Sequence, residues 1–135
     1  MKVLIDTNII LDVLCDRHEF SEDAAKVFKL CEVKKINGYI SALSIPNIVY
    51  ILRKELQPEQ VKEIIETLSL IFDVVDLKAD DLKKAAAFSF KDFEDAIQSA
   101  QASRIKANYI ITRNIKDFVN SRVTAIKPNE LLERI

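Results

Sequence analysis

Eight side chains bearing oxygen donors follow apolar runs or stand at helix starts: Asp6 and Asn8, Asn47, Asp92 and Asp95, and Thr112, Asn114 and Asp117. No histidine or cysteine accompanies them. Carboxylates gathered in one place repel one another and raise one another's pKa unless a cation sits among them, and an all-oxygen set suits a hard divalent ion, Mg²⁺ or Mn²⁺. Such an ion binds a phosphate oxygen, activates water and stabilises a leaving group. Phosphodiester hydrolysis is the natural chemistry. Each position also has a plainer use: Asp6 caps a helix, and acids at 92 and 95 complement a helix dipole.

Convergence requires that the elements deliver these residues to one edge. Val3-Leu4-Ile5 is a short unalternating apolar run, the pattern of a strand covered on both faces, and Asp6-Thr7-Asn8 ends it. Ile9, Ile10, Val13 and Leu14 resume at helical spacing. Ser21-Glu22-Asp23 opens a second helix, Asn37-Gly38 reads as a turn, and Tyr39-Ile40-Ser41 as a second strand. Ile45 to Leu56 and Val61 to Leu70 carry helical stripes and read as a helical hairpin, with Asn47 in the first turn of the first helix. Phe72–Leu77 is a third strand, Asp80 starts an Ala-rich helix to about Phe88, and Phe90–Ala102 forms the next, placing Asp92 and Asp95 on neighbouring faces of its start. Asn108–Ile111 is a fourth strand that delivers Thr112, Asn114 and Asp117, repeating the opening design. Val123–Ile126 and a helix from Pro128 close the chain. This alternation predicts an α/β fold with a mainly parallel sheet and helices on both faces.

At 135 residues with 49% hydrophobic side chains, the chain reads as one domain, 1–135, with a core large enough to need no disulfide or structural metal. The net charge of -1 provides no global field for nucleic acid, so any such contact needs local basic groups: Arg17, Arg53, Lys54, Arg113 and Lys116. Cys15 and Cys31 lack metal or redox spacing and read as reduced thiols. His18 reads as a surface loop residue. A single glycine, Gly38, excludes a Gly-rich phosphate loop. The opening apolar run is cut short by Asp6 and none approaches membrane-spanning length, so a cytoplasmic protein without a membrane partner is expected.

Val3-Leu-Ile-Asp6-Thr-Asn8, Asp95-Ala-Ile-Gln-Ser-Ala100, Tyr109-Ile-Ile-Thr-Arg-Asn114 and Lys116-Asp117-Phe118, in this order and at these distances, resemble the PIN-domain family. That family comprises metal-dependent ribonucleases and includes the VapC-type toxins. The resemblance covers nearly the whole chain. It implies a three-layer α/β/α sandwich around a sheet of about five parallel strands, and an acidic pocket for one or two ions. Asp6 would be the first metal ligand and Asp95 the acid on the penultimate long helix, with Asp92 and Asp117 as further candidates. Asn47, Thr112 and Asn114 would complete the catalytic set, and Asn8, Arg17, Arg113 and Lys116 would contact substrate. Further implications are an RNA substrate, a small antitoxin that covers the pocket, and a homodimer.

Two positions depart from the family pattern. Asn47 stands where an acid is common early in the third helix, and Asn114 where Asp commonly follows the Thr of the fourth strand. An amide oxygen still ligates a metal or orients water, but it carries no charge and cannot act as a base. Reduced metal affinity and reduced activity are therefore expected. A second reading is a PIN fold that has lost catalysis and binds RNA or a protein. A third, a phosphatase-like hydrolase with Asp6 as nucleophile, wants a second acid where Asn8 stands.

Overall fold

The first strand, β1 (Lys2–Ile5), is central because it is apolar on both faces: Val3, Leu4 and Ile5 are all fully buried. The computed structural model describes residues 1–135. Around β1 the chain folds as α1 (Thr7–Leu14), α2 (Ser21–Glu32), β2 (Asn37–Ser41), α3 (Ser44–Ile51), α4 (Pro58–Ile71), β3 (Asp73–Val75), α5 (Ala79–Ala87), α6 (Phe93–Arg104), β4 (Tyr109–Ile111), a 3-10 turn (Ile115–Phe118), β5 (Ala125–Ile126) and α7 (Pro128–Glu133). The five strands are all parallel, in the order β3-β2-β1-β4-β5. β1 pairs with β2 on one side, Leu4 opposite Tyr39, and with β4 on the other, Ile5 opposite Ile111. Strand order reverses between β1 and β4, so a crevice opens beyond their carboxyl ends.

Alternation within β1 divides the core. Val3 and Ile5 pack with Ile9 and Ile10 of α1, Val27, Phe28 and Cys31 of α2, Leu68 of α4 and Leu131 of α7. Leu4 points to the other face, with Ala102 of α6, Ile110, Phe118 and Val123. The expected α/β/α sandwich with a five-stranded parallel sheet is therefore the fold found. No helix is long and apolar enough to cross a membrane.

Several local expectations change. Asn37-Gly38 is no turn but the start of β2, because Asn37 pairs with Lys2 and its amide donates to the Met1 carbonyl at 2.9 Å. Gly38 is buried there for want of room: a Cβ would lie 2.5 Å from Cys31 Sγ and 2.8 Å from Phe72 Cδ1. The third strand is shorter than Phe72–Leu77, since beyond Val75 the Asp76 carbonyl accepts from Arg104 at 2.7 Å and Gln101 at 3.1 Å rather than from a strand. The closing strand likewise narrows to Ala125–Ile126. α3 ends at Ile51, short of Leu56, and packs on α1 and β2, whereas α4 packs on α2 and β3. Residues 52–57 join the two helices, and Ile51, Leu56 and Ile64 line an apolar groove with Leu14 of α1.

The helix expected from Phe90 starts at Phe93. Phe90 instead packs edge-on against Phe118, ring centroids 6.2 Å apart, which frees Asp92 to act as the helix cap. α6 is tied to α5 by Arg104, which donates to both oxygens of buried Asp81 at 3.0 Å each. Burial alone would raise the Asp81 carboxyl; the Arg104 bonds, the Lys78 amide and both positive charges outweigh it and hold the group below its ordinary value.

Replacing Gly38 by Ala is expected to lower stability by about 1–3 kcal/mol, because Cys31 and Phe72 must shift off their packed positions. Urea unfolding should show a lower midpoint at unchanged slope. A wild-type midpoint would mean that the α2–β2 contact yields freely.

Candidate active site

Asp6 leaves β1 at the crevice and takes the cap position of α1, its carbonyl accepting from the Ile9 amide at 3.0 Å. Its own amide donates to the Ile111 carbonyl at 2.9 Å, which fastens the turn to β4. The side chain makes no capping bond. Instead Oδ1 accepts from Gln98 Nε2 at 3.1 Å and Oδ2 from Thr112 Oγ1 at 2.9 Å. The residue is 4% exposed, and burial pushes its carboxyl above the ordinary value. Gln98, Thr112, the Thr7 amide and the charge of Arg113 oppose that rise without cancelling it. A buried carboxylate with only two neutral side-chain donors is a site with unmet electrostatic demand.

Asp95 faces the same cleft from the first turn of α6, where Asp92 Oδ1 accepts from the Asp95 amide at 3.1 Å. Asp95 itself is half-buried. Its carboxyl is pushed up to about 7, first by burial and then by the charges of Asp6, Asp92, Asp117 and Glu94. These four neighbours raise it together, so the acids share one electrostatic environment.

The cleft encloses about 410 Å³ and brings together Asp6, Asn8, Asn47, Asp92, Asp95, Asn114 and Asp117 from four separate segments of the chain. Thr112 lies behind this wall. It is fully buried, and besides donating to Asp6 its hydroxyl accepts from the Asn114 amide at 3.0 Å, so it sets the positions of both. Glu94, Thr7 and Ser44 escaped the sequence reading. Thr7 Oγ1 donates to Glu94 Oε1 at 3.1 Å and shares a 2.7 Å hydrogen bond with Ser44 Oγ, linking α1, α3 and α6 around the cleft. Glu94 could have been found from its place between Asp92 and Asp95; nothing in the sequence pairs Thr7 with Ser44.

The cations behave differently from expectation. Arg113 binds Asp12 through two bonds, Nε to Oδ2 at 2.7 Å and Nη2 to Oδ1 at 3.2 Å, and its guanidinium stacks 3.9 Å over the Phe20 ring. Arg17 also reaches Asp12, at 3.3 Å. Both arginines nominated for substrate are thus engaged by a fully buried aspartate in α1. That acid needed them, since a buried unpaired carboxylate costs several kcal/mol. Lys116 is exposed on the 3-10 turn and lines a neighbouring groove with Asn114 and Lys127.

No three of the acids, nor any set that includes cysteine or histidine, form a ready-made metal cage. The donor set nevertheless fits a hard divalent ion of the Mg²⁺ kind, which keeps several waters and commonly uses only one or two carboxylates. Asp6 and Asp95, the two cleft carboxyls that burial raises, could hold it. The amides of Asn47 and Asn114 offer neutral oxygens on the same wall.

A family model described as "PIN domain" matches residues 2–116. Ribonuclease VapC1 of Aquifex aeolicus (strain VF5) is 22% identical over 138 residues, covering 98% of this chain and 94% of the relative. Among solved structures, a toxin-antitoxin complex from Klebsiella pneumoniae has a chain that superposes with a TM-score of 0.71 at 24% identity, covering 93% of this chain and 97% of that one. DNA-bound VapBC from Salmonella typhimurium gives a TM-score of 0.71 at 16% identity, with 95% and 98% covered.

The raised Asp95 fixes a sign for stability. Its folded value near 7 lies above the ordinary 3.8, so between these pH values the folded state holds more protons than the unfolded state and stability falls as pH rises. In EDTA, Asp95→Asn is expected to be more stable than wild type at pH 8 by about 1–3 kcal/mol, allowing for solvent screening. The gain should vanish by about pH 3, below both values, where the carboxyl is protonated in the folded and unfolded states alike. Urea titrations at the two pH values measure it; a variant less stable than wild type at pH 8 would contradict the repulsion.

Proposed function

The chain belongs to the PIN-domain family, and from that membership we propose that it is a divalent-metal-dependent endoribonuclease using Mg²⁺ or Mn²⁺ to hydrolyse RNA phosphodiesters. The observation that carries the reading is the shared cleft of Asp6 and Asp95, in which three further acids, Asp92, Glu94 and Asp117, crowd the Asp95 carboxyl. A bound divalent ion would supply neutralising charge, polarise a phosphoryl oxygen and lower the pKa of water. The chain's own residues do the rest. Gln98 and Thr112 hold both Asp6 oxygens in a fixed orientation, and Asp92 fixes the start of α6 and with it Asp95. Asn47 and Asn114 orient water through their carbonyl oxygens while leaving the site less acidic than a full carboxylate set. Asp117 and Glu94 supply additional negative charge at the rim.

The similarity to Ribonuclease VapC1 supports RNA as the substrate, and the likeness to chains from toxin-antitoxin complexes supports the toxin role. The natural partner is then a small antitoxin that offsets the acidic cleft with a basic side chain. A homodimer and a cytoplasmic setting, where exposed Cys15 stays reduced, accord with this role. The binding-module reading retains one specific support, the pair of amides at 47 and 114 in the cleft wall.

End-labelled structured RNA incubated with Mg²⁺, Mn²⁺ or EDTA, beside Asp6→Ala and Asp95→Ala, separates the two. Cleavage that needs the ion and falls about 100-fold or more in both variants is expected. RNA that is bound but left intact under every condition would establish the binding module instead.

A further inference from the structure

The cleft poses a problem for an RNA-cleaving enzyme, because its acids repel the phosphates it must admit. Arg17 and Arg113 are tied to Asp12, and Lys116 lines the neighbouring groove rather than the cleft itself. A contact indifferent to phosphate repulsion would add affinity at the cleft itself. One side chain on the cleft wall has that chemistry. Tyr50 lines the cleft and is 64% exposed, although one face of its ring is covered by the Arg53 guanidinium at 3.9 Å. So much exposure beneath a stacked cation leaves the other face open to solvent.

The pair is held in place. Arg53 Nη1 donates to the Tyr50 carbonyl at 2.8 Å, and the Arg53 amide to the same oxygen at 3.3 Å. Arg53 forms no ion pair with any acid, so its charge remains available. Asn47, Tyr50 and Arg53 stand at successive intervals of three residues, the first two on one face of α3 and the third in the turn beyond it. An amide in the cleft wall, an aromatic ring at the mouth and a guanidinium outside therefore form a short ladder leading outward. Aromatic rings stack on any base, and a cation behind the ring adds attraction for the adjoining phosphate.

We propose that Tyr50, backed by Arg53, is a base-stacking platform for single-stranded RNA at the mouth of the acidic cleft. It holds the nucleotide beside the scissile phosphate and selects unpaired substrate, since a base within a duplex cannot present its face to the ring. The proposal rests on the ribonuclease reading for its substrate, but its binding test does not require cleavage.

A short mixed-sequence single-stranded RNA serves as probe, with a series abasic at one position each. Tyr50→Leu is expected to weaken binding and raise KM about tenfold or more, the loss falling on KM rather than kcat, while Tyr50→Phe stays within about twofold of wild type. One abasic position should weaken wild type equally and Tyr50→Leu no further. The chain has no tryptophan, so Tyr50→Trp introduces a single indole whose fluorescence RNA should quench. The exposed position lets each variant keep the wild-type urea midpoint. Unchanged affinity in Tyr50→Leu, or no abasic position coupled to Tyr50, would overturn the proposal and leave the ring to a protein partner. RNA bound through Tyr50 but never cleaved would sustain the platform and refute the nuclease; no RNA binding by wild type would refute both.

Discussion

The structure depends on keeping a carboxylate at the end of a strand buried on both faces. Asp6 is almost wholly withdrawn from bulk water there, and the fold offers its side chain one donor from α6 and one from the segment after β4. Those two bonds join three of the four parts of the chain that make the crevice. The Thr112 hydroxyl passes the constraint on to Asn114, and Gln98 lies one turn beyond Asp95 on the same helix. Gln98 is itself buried, and its carbonyl oxygen has no partner. A buried acceptor left unmet is tolerated where the same side chain must donate to a functional group.

Charge is segregated on a short length scale. Two buried aspartates, Asp12 and Asp81, each receive a two-bonded arginine and serve as struts, one between α1 and the loop after β4, the other between α5 and α6. The acids of the cleft receive none. Asp81, met by Arg104, is lowered, whereas Asp6 and Asp95, which no arginine meets, are raised. Sites that bind and act on ligands commonly retain such unfavourable interactions, which the remainder of the fold must support.

Much of this was readable in one dimension. The apolar runs before Asp6 and Thr112 marked buried parallel strands because such strands need apolar residues on both faces, and the polar residues after them had to emerge at the same sheet edge. Boundaries were less legible. Gly38 resembled a turn because glycine is a common turn residue, whereas here it answers to the crowding of Cys31 and of Phe72, the latter far from it in sequence. Phe90 fitted the helical stripe of α6 but found a better partner in Phe118, and that contact set where the helix begins. Leu56 continued the spacing of α3, yet the chain had already turned at Leu52.

By itself the sequence determined the layered fold, the central strand and the identity of most residues in the cleft wall, since each follows from local periodicity and from the edge to which parallel strands deliver their ends. Tertiary structure alone decided the pairing. Which acid would receive an arginine and which only neutral donors depended on bringing Arg113 to Asp12 and Gln98 to Asp6, residues 101 and 92 positions apart in the chain. The same holds for Thr7, Ser44 and Glu94, whose mutual contacts no spacing announces. Position along a strand or helix is a local property of the chain; the partner of a charge is a property of the space into which the chain folds.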